Sequence, residues 1–123
     1  MHAIPRKGFR SVTPRIVVRD AAGLIAFLSA VFEAHGEQSG DRPAEIRIGD
    51  SLVMVTPAGA RDAFPAFLYV YVDDADAAHR RALAAGAVSL EEPVDTPYGD
   101  RRGMVQDPCG NVWQIATHKG SLP

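Results

Sequence analysis

The stretch YGDRRGMVQDPCGNVWQIATH, residues 98–118, decides how the rest of the chain is read. At its centre, Asp107-Pro108-Cys109-Gly110-Asn111 has the chemistry of a tight turn. Proline fixes the entry, glycine permits a positive φ, and the aspartate side chain can bond back to the loop. That motif is structural, and nothing beside Cys109 marks it as a reactive thiol. On either side, residues 103 to 106 and 112 to 118 read as the strands of a hairpin. In the second strand Trp113 and Ile115 share the core phase, and Val112, Gln114, Ala116 and His118 share the other. Upstream, residues 93 to 102 read as a polar loop, with Asp100 making local bonds that fix it. In that loop Tyr98 and Arg101 are open between two roles, a ligand-binding wall and a local structural contact.

Working back, residues 66 to 72 alternate as a strand. Phe67, Tyr69 and Tyr71 lie on one face, and Leu68, Val70 and Val72 on the other. Asp73 or Asp74 caps a helix running to about Ala85 and stopped by Gly86. Ala75, Ala78, Ala82 and Leu83 give it a small-residue packing face, and residues 87 to 90 form a strand. The first half has the same order. Residues 12 to 18 form a β-branched strand, Asp20 caps a helix over about 21–34, and Gly36 stands at its stop. Leu24, Phe27, Leu28, Val31 and Phe32 recur at steps of three and four, the period of a buried helical face. Strands follow over 44–48 and 51–56 across the Gly49-Asp50 turn. The expected fold is α+β: module 1 over about 12–56, a linker over about 57–65, and module 2 over about 66–118. Two such βαβββ modules make a curved mixed sheet, a cup with the helices outside.

Strand alternation assigns the cup lining. Thr13, Arg15, Arg47, Met54, Phe67, Tyr69, Tyr71, Gln114 and His118 point inward, and with Tyr98 and Arg101 they form the candidate ligand site. Three aromatics on one strand face suit either a ligand or a dimer interface. Arg15 and Arg47, if buried, need an anionic partner, either a ligand or an acid such as Glu45. His2 lies in the amino-terminal arm, His35 ends the first helix and His79 rides on the second. His118 reads as a strand end near solvent rather than a partner of Glu45.

The runs SVTPRIVVRDAAGLIAFLSAVF (11–32), AEIRIGDSLVMV (44–55), YVYVDDADAAHRRALAAGA (69–87) and YGDRRGMVQDPCGNVWQIATHKG (98–120) resemble glyoxalase-like proteins of the vicinal-oxygen-chelate superfamily. The resemblance covers about residues 5 to 120, and its DPxGNxW segment is the most specific part. It implies paired βαβββ modules and a homodimer. It also implies a range of activities, from metal-dependent lyases, isomerases and dioxygenases to proteins that bind antibiotics without chemistry. The metal positions of the family's enzymes fall at Thr13, Met54, Phe67 and Gln114. Phe67 offers no lone pair, a thioether suits Cu(I) rather than a hard divalent ion, and no carboxylate is present. The expectation is therefore no metal and no cofactor.

Composition narrows the rest. A net charge of −2 gives no electrostatic case for nucleic acid or an anionic membrane. No apolar run approaches the about 18 residues that span a bilayer. The first ten residues do not read as a secretory signal, and the lone Cys109 fits a reducing compartment, so a cytoplasmic location is expected. The leading function is metal-free binding of a small, largely apolar or aromatic molecule, as in antibiotic sequestration. The alternatives are a superfamily enzyme acting on a small oxygenated substrate, and a ligand-free oligomerisation module.

Overall fold

The computed structural model describes residues 5–38 and 42–120; His2 lies outside the described residues. The chain divides into two compact units, up to Phe64 and from Pro65. The first runs β1 (Arg15–Val18), α1 (Ala21–Phe32), β2 (Ala44–Ile48) and β3 (Ser51–Pro57). The second runs β4 (Phe67–Tyr71), α2 (Ala75–Ala84), β5 (Val88–Asp95), β6 (Asp100–Gln106) and β7 (Val112–His118). Each unit forms its own mixed sheet, ordered β1-β3-β2 and β4-β7-β6-β5. In both, the opening strand pairs parallel with the last strand of its unit. A parallel pair needs a crossover, and the helix with its following strands supplies it. The first unit carries three strands among its described residues, one fewer than a full βαβββ module.

The helix starts follow the sequence. Asp20 accepts the Gly23 N–H at 2.9 Å and Asp74 accepts the Ala77 N–H at 3.1 Å. Each cap satisfies an otherwise orphaned donor, for about 1 kcal/mol. The first helix ends earlier than Gly36 suggests: Glu33 itself takes the left-handed conformation at φ 54°. Leu24, Phe27, Leu28, Val31 and Phe32 are buried as their spacing requires, against Ile16, Val18, Ile46, Val53 and Val55. On α2 the buried set is Ala75, Ala78, His79 and Ala82, whereas Leu83 is exposed. His79 is buried with Ser89 Oγ of β5 hydrogen-bonded to Nε2 at 3.1 Å and the Glu92 carboxylate 3.7 Å from Nδ1.

Two strand boundaries differ from expectation. β1 begins at Arg15, so Thr13 and Pro14 precede it. The segment expected as a loop over 93–102 is mostly paired: β5 runs on to Asp95 and β6 starts at Asp100. Pro93 is tolerated because β5 is an edge strand whose pairing is interrupted between Glu91 and Val94. The turn tightens to residues 96–99, where the Thr96 hydroxyl donates to the Asp100 carbonyl and accepts its N–H.

The DPCGN turn positions the sheet. Asp107 Oδ1 accepts the Cys109 and Asn111 N–H groups, and Oδ2 accepts the Asn111 side-chain amide and Trp113 Nε1. Asn111 Oδ1 in turn accepts the Ala66 N–H at 2.9 Å, holding the entry of β4 beside β7. The motif thereby fixes the register that puts Tyr69 opposite Gln114 and Tyr71 opposite Ala116.

Candidate functional site

The second sheet has two unlike faces. Val105, Trp113 and Ile115 are fully buried, and Gly103 on the same face lies against His79 of α2. The register places the opposite phase together: Phe67, Tyr69 and Tyr71 on β4, Gln114, Ala116 and His118 on β7, and Asp100, Arg102 and Met104 on β6. On this face Phe67 is 67% exposed, Tyr69 37% and Tyr71 62%. The Tyr69 and Tyr71 rings stand 5.3 Å apart and tilted by 57°.

Asp100 organises the face. It is buried, and three side chains converge on its carboxylate. The Tyr69 and Tyr71 hydroxyls donate to Oδ2 at 2.5 and 2.9 Å, and His118 Nδ1 lies 2.8 Å from Oδ1. The network extends further. Arg102 donates to the Tyr98 hydroxyl at 2.9 Å and to Glu91 at 2.6 Å, and Tyr98 lies 3.4 Å from the Tyr69 hydroxyl. A polar chain thus runs from Glu91 to His118 across β5, β6, β4 and β7.

The ionisation of these groups follows. The hydrogen bond from Tyr69, then that from His118, holds the Asp100 carboxyl below its ordinary range against the opposing effect of burial. Loss of solvation, then the bond to Asp100, pushes the Tyr69 phenol well above the ordinary tyrosine value. Tyr71 is raised too, first through its bond to the same carboxylate. The arrangement is therefore a carboxylate held by neutral phenols, with an imidazole at one end. Beside it a cleft of about 490 Å³ is lined by residues 95 to 100 with Lys119 and Gly120.

Not every expected site residue reaches this network. Phe67, Tyr69, Tyr71, Gln114 and His118 share the face, and Tyr98 joins it from the turn. Arg101 does not. It turns to the helix side, where Asp76 clamps it through Nε and Nη2 at 3.0 and 3.1 Å, with Asp95 at 3.5 Å. An arginine committed to two carboxylates is not available to attract an anion. On the first unit's sheet Arg15, Met54, Glu45 and Arg47 share one face. Neither Arg15 nor Arg47 is buried, so neither needs an internal counter-ion, and Glu45 pairs with Arg6 at 3.3 Å instead. Thr13 is partly buried ahead of β1.

The profile of the Glyoxalase/Bleomycin resistance protein/Dioxygenase superfamily matches residues 10–115. The chain belongs to that superfamily. A relative in sequence, the uncharacterized protein Mb0911c of Mycobacterium bovis, is 32% identical, with 85% of this chain and 81% of that protein covered. In structure, TioX from Micromonospora sp. ML1 superposes with a TM-score of 0.73 at 24% identity, covering 87% of this chain and 97% of its own. The fosfomycin resistance protein FosX from Mesorhizobium loti gives 0.66 at 23% identity, covering 90% and 92%. At such identities the superpositions show the glyoxalase-superfamily fold.

Thr13, Met54, Phe67 and Gln114, which the resemblance assigns to metal-ligand positions, are poor donors for a divalent ion. Phe67 has no donor atom, Met54 offers only a thioether, and Thr13 and Gln114 are neutral oxygen donors. Among the described residues no three His, Cys, Asp or Glu side chains are grouped so that they could hold a metal ion. What sequence reading missed is Asp100, Arg102 and Glu91. The signal was present: once β6 extends back to Asp100, alternation from Met104 puts Arg102 and Asp100, and not Arg101, in phase with Gln114 and His118.

Proposed function

We propose that the open face of the β4-β7-β6-β5 sheet binds a small, largely aromatic molecule without a metal ion, in the manner of a drug-sequestering protein. The observation that carries this reading is the exposure of Phe67, Tyr69 and Tyr71 on one strand beside the Asp100 network. The Tyr69 and Tyr71 rings, held in place by bonded hydroxyls, give stacking area with little side-chain entropy left to lose, and Phe67 extends that area. Gln114, Tyr98 and His118 add polar groups that orient a ligand. Arg15, Arg47 and Met54, on one face of the first unit's own sheet, and Thr13 ahead of β1 are proposed as ligand contacts of that unit. Fosfomycin resistance in the name of a structural neighbour supports an antibiotic as the class to try first. The reading includes a homodimer in the cytoplasm. Among the described residues no helix is long and apolar enough to cross a membrane.

A thermal-shift screen over aromatic antibiotics and natural products tests the reading. A true ligand raises Tm progressively with concentration, since binding to the folded state alone stabilises it by mass action. Phe67→Ala with Tyr71→Ala should abolish the shift. A panel without a concentration-dependent rise, or a rise retained in the double variant, contradicts it.

A further inference from the structure

Asp100 and His118 stand directly opposite each other across β6 and β7, and their side chains meet at 2.8 Å. The carboxylate is nearly inaccessible, whereas the imidazole is 54% exposed. An ionised carboxylate only accepts, so Nδ1 carries a proton, and in the neutral ring the lone pair is then on Nε2. No described residue bonds Nε2. The Gly99 backbone, part of the cleft lining, packs near Cε1 of the same ring. A carboxylate that fixes the tautomer and orientation of an exposed imidazole is the arrangement general-base chemistry requires.

We infer that His118 is a proton acceptor, positioned by Asp100, for a small aromatic molecule that carries an acidic C–H bond. This inference rests on the proposed aromatic binding face, and it adds a reaction to it. Nε2 takes the proton from carbon, and the electron pair of the broken C–H bond moves into the substrate, toward its electron-withdrawing group or leaving atom. The imidazolium so formed is stabilised by Asp100 and returns its proton to water. No oxidant, reductant or metal takes part. The ionisable groups around His118 are Asp100 on β6, Tyr69 and Tyr71 on β4 through the same carboxylate, Tyr98 in the turn, and Lys119 with its partner Asp95.

The probe is 5-nitrobenzisoxazole, whose ring opens when a base removes its C3 proton. The C–H pair completes a nitrile, the N–O bond breaks, and a coloured phenolate leaves. Three variants are compared with the intact protein: His118→Ala, His118→Asn and Asp100→Asn. The asparagine at 118 can keep a donor near the Nδ1 position but has no base, so it separates a latch from a catalyst. The expected result is saturable turnover. Kcat should drop about 100-fold in both His118 variants, with KM little changed, and fall also in Asp100→Asn. Wild-type kcat in His118→Asn, or turnover no faster than an equal concentration of imidazole, overturns the inference. Probe-induced stabilisation read in the same samples distinguishes the two readings. Binding without His118-dependent turnover sinks only the proton-transfer role, whereas neither binding nor turnover counts against both.

Discussion

Asp100 shows how one residue can set the chemistry of a face. With water excluded, its charge is stabilised by the hydroxyls of Tyr69 and Tyr71 and by His118. The signs of the resulting pH effects are opposite at the two ends of the scale. The Asp100 carboxyl is held below its ordinary value of 3.8, so its stabilising contribution is complete above that value and is lost as pH falls below it. The Tyr69 and Tyr71 phenols are raised above 10.0, so their contribution is complete below that value and is lost as pH rises through the folded-state values. Phenolate absorbance resolved by difference with Tyr69→Phe and Tyr71→Phe should therefore show both tyrosines ionising above pH 10.0. In Asp100→Asn both midpoints should move down, and the variant should lose the part of acid unfolding that Asp100 contributes. Ordinary tyrosine midpoints in the intact protein would contradict the network. Sequence made the three aromatics legible through strict alternation, yet it left Asp100 in a loop. Proline and glycine on either side suggested irregular backbone, and only cross-strand pairing with His118 identified its role.

At the scale of elements, the helices and the central hairpin were readable because local chemistry determines them. The Asp caps, the α1 spacing and the DPCGN turn all act within a few residues of sequence. The β5–β6 hairpin was not readable, because its strands are held by partners outside the local window and its outer strand tolerates Pro93 only as an edge. Packing across elements adds a constraint that sequence hides. A Cβ on Gly103 would come within 2.8 Å of His79 Cδ2 and 3.2 Å of the Glu91 carbonyl oxygen. Gly103→Ala should accordingly destabilise the protein by about 1–3 kcal/mol, the usual cost of overpacking. Asn111→Ala should cost about 1–3 kcal/mol through unpaired buried partners, since it removes the acceptor of the Ala66 N–H and a donor to Asp107. Urea unfolding should show both as a lower midpoint at an unchanged slope. A wild-type midpoint for Gly103→Ala would mean that α2 has room to move away from β6.

At the scale of the whole chain, each unit pairs its first strand with its last, a pairing that the repeated strand–helix pattern did not specify. The superfamily was legible because its turn motif and helix caps are local signals, and the profile match spans residues 10–115. Activity is not carried by that level of likeness, because one fold accepts many donor sets at its strand positions. Here the decisive feature is chemical. At the positions that the resemblance assigns to metal ligands, Phe67 offers no donor, and Met54, Thr13 and Gln114 supply no charge to offset a divalent ion. Protein purified without chelator should carry far less than one equivalent of Zn²⁺, Ni²⁺, Mn²⁺ or Fe²⁺, and EDTA should leave Tm unchanged. The measurement is sensitive. A metal at 100 times its Kd stabilises the folded state by about 2.7 kcal/mol, which for a chain of this size moves Tm by roughly 10 °C. A shift of that size on adding one of these ions, abolished by Gln114→Ala, would replace the metal-free reading with a metalloenzyme.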